Sequence, residues 1–109
     1  MAYSEALAQK IRKSLDHVAN VEEKKIFGSL AFIVNGKMCL TAGPERMMCR
    51  IGPKMHEEAV KNEGCTTVMM GGRNYLGYIH IQEKYLQKEE DFAQWLSLAL
   101  EFNKKLTSS

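Results

Sequence analysis

Histidines 17, 56 and 80, cysteines 39, 49 and 65 and the pairs Met47-Met48 and Met69-Met70 are the residues of this chain best able to hold a metal or attack an electrophile. Their spacing argues against that chemistry. His17, His56 and His80 show neither the i,i+4 spacing of two ligands on one helix face nor the company of a Cys-x-x-Cys, so no zinc site is expected. Cys39 and Cys49 fall among Met, Leu and Ile in alternating runs, where burial raises a thiol's pKa and silences it. Cys65, beside Gly64 at a turn, is the thiol expected to meet solvent. An odd number of widely spaced cysteines suits a reducing compartment. Soft thioethers select copper(I), but neighbours in a strand point to opposite faces. Each methionine pair is therefore expected to place one sulfur in the core and one at the surface, and to hold no ion. No cofactor is expected.

The remaining polar groups are equally unsuited to catalysis. Glu22-Glu23, Glu57-Glu58 and Glu89-Glu90 are adjacent on helical segments and diverge by about 100°, so no pair shares a pocket as a general acid and base would. Gly71-Gly72-Arg73 lacks the Gly-x-Gly-x-x-Gly pattern and the following helix that cradle a phosphate, and reads as a hairpin turn. Arg50, Arg73, Tyr75 and Tyr78 mix charge with aromatic surface and form the candidate contact surface, for protein or, on the weaker of the two expectations, for single-stranded nucleic acid. A net charge of +2 with alternating signs offers no extended field for nucleic acid. A pocket near Arg50, Tyr78 and His80, between sheet and helices, is the alternative for a small ligand or an enzyme.

These residues are positioned by a regular series of elements. Length and ordinary globular composition imply one domain over residues 1–109, with no membrane span, and the polar opening MAYSEALAQK implies a cytoplasmic chain. Tyr3, Leu7, Ile11, Leu15 and Val18 stripe a first helix. Val21 to Ile26 is charged and reads as a short helical turn that Gly28 ends. Leu30 to Val34 is apolar on both faces, as a central strand is. Asn35-Gly36 is a strong hairpin signal, followed by strands Lys37 to Ala42 and Arg46 to Ile51. Gly52-Pro53 opens a short helix with Met55, Ala59 and Val60 inward and His56, Glu57, Glu58 and Lys61 outward. Cys65 to Met70 and Leu76 to Ile81 form a second hairpin. Phe92, Trp95, Leu96, Ala99, Leu100, Phe102 and Leu106 stripe a last helix beginning near Glu89, with acids in its first turn and a frayed tail from Thr107. The expected fold is α+β and two-layer: helix, three strands, helix, two strands, helix, with one antiparallel five-stranded sheet covered on one face by the two long helices.

The run KKIFGSLAFIVNGKMC, then RMMCRIGP, the hairpin GGRNYLGYIHI and the closing DFAQWLSLALEF together resemble the N-terminal domain of the TfoX/Sxy family over nearly the whole chain. The family pattern Lys-x-Phe-Gly-Gly-Leu-Ala-Phe is matched at Lys25, Phe27, Gly28, Leu30, Ala31 and Phe32, with Ser29 replacing the second glycine. Later family glycines are matched at Gly36, Gly52, Gly72 and Gly77. The resemblance implies a secretion-chaperone-like α+β fold. It also implies kinship with bacterial regulators of natural competence that act with the cyclic-AMP receptor protein at promoters. In those regulators a second, helical domain follows, and the 109 residues here correspond to the first. The expectation that results is a non-enzymatic interaction or regulatory module that binds a protein partner or itself.

Overall fold

A computed structural model describes residues 3–26 and 28–107. Ser4 caps the first helix, α1 (Glu5–Ser14), its Oγ accepting from the Leu7 N–H at 3.2 Å. The helix is shorter than the apolar stripe that announced it. Tyr3 and Val18 lie outside it but still pack on the core.

The charged segment after Asn20 is a strand, β1 (Val21–Ile26), where a helical turn was expected. It pairs antiparallel with β2 (Ser29–Val34), from Val21 opposite Val34 to Ile26 opposite Ser29, so Gly28 (φ 81°) closes a hairpin instead of capping a helix. Pairing with an apolar neighbour outweighs the weak helical preference of EEKK. Strands β3 (Lys37–Ala42) and β4 (Arg46–Arg50) continue the meander, and α2 (Pro53–Ala59) follows. Next come β5 (Cys65–Met70), β6 (Arg73–Gln82), a 3-10 turn (Glu83–Leu86) and α3 (Glu89–Thr107). The sheet thus has six strands, not five, in the order β1-β2-β3-β4-β6-β5, and its edges are β1 and β5. Thr107 belongs to α3, its Oγ1 donating to the Asn103 carbonyl at 3.0 Å, where a frayed tail was expected; Ser108 and Ser109 lie outside the described residues.

Leu30, Phe32, Leu40, Ala42, Met47, Cys49, Ile79 and Ile81 share one sheet face by register and form the core with Leu7, Ile11, Phe92, Leu96 and Ala99 of the helices. Buried Asn103 fastens α3 to the end of β2, its Nδ2 donating to the Val34 carbonyl at 3.0 Å. Lys10 ties α1 to the last turn before α3, with Nζ 2.6 Å from the Leu86 carbonyl and 4.8 Å from the Phe92 ring centroid.

No helix among the described residues covers the other face, yet Ala31, Thr41, Met48 and Val68 are buried there. Curvature accounts for it. Register shifts at Phe32/Ile33 and Thr67/Val68 add twist, and Ile26 and Ser29 from one end of the sheet line the same trough, of about 250 Å³, as Val68, Met69 and Met70 from the other edge strand. The sheet is an open half-barrel whose β5–β6 hairpin leans over its own bare face. No helix among the described residues is long and apolar enough to cross a membrane.

Candidate interaction surface

The β5–β6 hairpin turns at Gly71-Gly72, both at positive φ (57° and 77°), so Met70 pairs with Arg73 across a two-residue loop. Strand β6 therefore starts at Arg73, three residues before the expected Leu76. Farther along, Thr67 pairs with Ile79 while Val68 pairs with Tyr75, so one step on β5 answers to four on β6. Leu76, Gly77 and Tyr78 form the resulting bulge, which re-aims the hairpin tip.

Gly77 holds that bulge against α2. At φ 93°, a Cβ there would stand 2.9 Å from the Gly52 carbonyl carbon and 3.0 Å from Pro53 N. Its carbonyl accepts from the N–H groups of Ile51 (2.8 Å) and Gly52 (3.1 Å), and its own N–H donates to His56 Nδ1 at 2.9 Å. With Nδ1 accepting, the ring hydrogen of His56 sits on Nε2, which donates to Thr67 Oγ1 at 2.8 Å. His56 is thus a buried strut between α2, β5 and β6, contrary to the solvent-facing position expected for it. Met55, expected inward, is exposed, and the inward pair of α2 is His56 and Ala59.

Among the described residues, the hairpin tip gathers most of the large apolar side chains left in water: Met69 (63% exposed), Leu76 (61%), Met70 (54%) and Tyr75. Neither methionine pair splits as expected. Met47 lies in the core and Met48 is buried on the bare face, while Met69 and Met70 are both outside because the tip projects past the packed layers. Of the four residues expected at a contact surface, three converge. Arg50 pairs with Tyr78 across β4 and β6, with its guanidinium 5.3 Å from the Tyr78 ring centroid and 5.8 Å from that of Phe102. Tyr78 meets Tyr75 edge to face at 6.1 Å. Arg73 stands apart at the exposed turn.

The candidate chemistry residues are scattered or shielded. Burial pushes the Cys39 thiol up to about 12, the Cys65 thiol up to about 11 and that of Cys49 well above its ordinary value. Cys65 is buried, not solvent-facing, because it stands opposite Ile81 on the face of the sheet that carries the core. His17 is exposed beside Asp16. His80 lies on the bare face opposite Met48, and burial, then the charge of Arg46, lowers its pKa to about 4. The trough holds His80 with Met38, Met48, Met69 and Met70, but Arg46 lines it too and opposes a cation there. Of the three residues expected around a small-ligand pocket, His80 lines that trough and Arg50 and Tyr78 do not. A larger groove of about 410 Å³ lies elsewhere, between Pro53-Lys54-Met55 of α2 and Leu98, Phe102 and Lys105 of α3.

The motif residues distribute along the frame. Lys25 is exposed on β1, Gly28 and Gly36 close hairpins, and Leu30, Ala31 and Phe32 are buried on β2. Gly52 precedes α2 against the Phe102 ring, Gly72 is at the hairpin tip and Gly77 in the bulge. Phe27 lies outside the described residues.

Fold and surface together define a small α+β domain with a curled antiparallel sheet and an apolar hairpin at one edge. The family model for the TfoX N-terminal domain matches residues 13–103, from the end of α1 into α3, and the chain belongs to that family. No curated protein and no solved structure matches it.

Proposed function

We propose that this domain works by binding protein, without catalysing a reaction, and that the β5–β6 hairpin makes the contact. The observation that carries this is the gathering of Met69, Met70, Tyr75 and Leu76 at one projecting tip, away from the core. Flexible thioethers adapt to varied partner surfaces, and a contiguous apolar tip gains from being covered. The resemblance to competence regulators supports a regulatory purpose for such contacts, in transcription and inside the cytoplasm. Support for nucleic acid as the partner is weaker: Arg50 is engaged with two aromatic rings and Arg12 with Glu23, at 2.6 and 2.8 Å.

The test is quantitative affinity capture from lysate with the native chain and with a Met70→Ser/Leu76→Ser chain of the same thermal stability. Proteins retained by the native hairpin and lost by the variant are the expected result. Equal recovery by both chains contradicts the hairpin as the contact.

A further inference from the structure

We infer that two copies of this chain pair antiparallel along β5, extending the sheet across a two-fold axis. This deepens the protein-contact reading and rests on it. The two sheet edges differ in what they do to an approaching strand. Strand β1 carries Glu22, Glu23, Lys24 and Lys25, all exposed, and such charges discourage edge pairing. Strand β5 reads Cys-Thr-Thr-Val-Met-Met, with no charge and no proline, and is β-branched at three positions. Its outer hydrogen-bonding groups lie at the end of the sheet order.

Two features select a second copy of this chain as the occupant. The first is charge at the ends of the strand. Glu63 lies just before β5 and Arg73 just after it, across the Gly71-Gly72 turn, and Arg73 has no ion-pair partner among the described residues. Antiparallel self-pairing sets the Glu63 end of each copy against the Arg73 end of the other, so the favourable approach occurs twice. The second is coverage and closure. Centred on Val68, the pairing places Thr67 opposite Met69 of the second copy and Thr66 opposite Met70, covering the methionines now in water. Both uncharged edges are consumed in one isologous contact, and the outer edges of the joined sheet are the charged β1 strands, which stop further growth.

Sedimentation equilibrium of the full 109-residue chain from micromolar to millimolar concentration tests this, with far-UV circular dichroism confirming that each variant is folded. The native chain is expected to show a monomer–dimer equilibrium. Met69→Lys and Arg73→Glu are each expected to raise the dimer dissociation constant by ~10-fold or more, at exposed positions that leave the fold intact. Glu63→Lys combined with Arg73→Glu is expected to restore pairing, and Lys24→Glu on β1 to leave it unchanged. A dimer weakened by the β1 substitution but not by Met69→Lys, or one the double charge reversal fails to rescue, overturns the inference. So does a monomer at every concentration. If that monomer still shows hairpin-dependent capture, self-pairing alone falls; if it captures nothing, the protein-contact reading falls with it.

Discussion

Phe32, Leu40, Met47 and Ile79 lie under α1 and α3 on one face of the sheet, while Ala31, Met48 and Val68 are hidden on the other, over which no helix among the described residues lies. On the first face burial comes from a second layer; on the second it comes from the bend of the sheet itself. A face roofed by its own hairpin depends on the bulge that aims the hairpin. The same bulge puts Met69, Met70 and Leu76 into solvent, so cover for the bare face and exposure of the apolar tip have one structural cause.

Substitutions on the two faces should separate these modes. Phe32→Ala, in the two-layer core, is expected to cost about 3–5 kcal/mol in urea unfolding. Gly77→Ala should cost about 2–3 kcal/mol, since the new Cβ combines an unfavourable φ with a close approach to the Gly52 carbonyl carbon. It should also raise amide exchange throughout the β5–β6 hairpin while leaving the β1–β2 hairpin as it was. Val68→Ala on the bare face is expected to cost about 2 kcal/mol or less, because the curled hairpin can settle into the space more easily than a packed helix can. A loss as large as that of Phe32→Ala would show that the trough is as rigid as the main core.

His80 sharpens the comparison through pH. Its pKa is about 4 in the fold, below the ordinary 6.5, so between those values the unfolded chain binds more protons than the folded one. Its contribution is therefore complete above about pH 6.5, is lost as pH falls toward 4, and changes no further below that. Chemical denaturation midpoints measured at pH 7, 5.5 and 4.5 should fall less in His80→Gln than in the native chain. Equal slopes would mean that the bare face does not shield the imidazole.

Much of the frame was legible because local signals agreed with the packing. Asn35-Gly36 demanded a tight hairpin, the two-sided apolar run of β2 called for cover on both faces, and Phe92, Leu96 and Ala99 gave the inner stripe of α3. What escaped was set by distant partners. Charged β1 is a strand because β2 lies beside it. His56 is buried because Gly77 and Thr67 reach it from β6 and β5, and an inward phase of α2 through His56 and Ala59 was the one available signal. Arg50, Tyr75, Tyr78 and one methionine of the 69–70 pair were legible as surface, but the second methionine and Leu76 were not, since strict alternation hides a hairpin that leaves its layer. Cys65 failed for a similar reason: what buries it is its partner Ile81 on a later strand and the core behind that face.

The two edges of the sheet offer the most direct test of self-pairing through the β5–β6 hairpin. Residue-resolved amide exchange, recorded at two protein concentrations far apart, reads both edges in one sample. The account predicts that protection in β5 rises with concentration while protection in β1 stays constant. A rise in β1, or no change in β5, would contradict it.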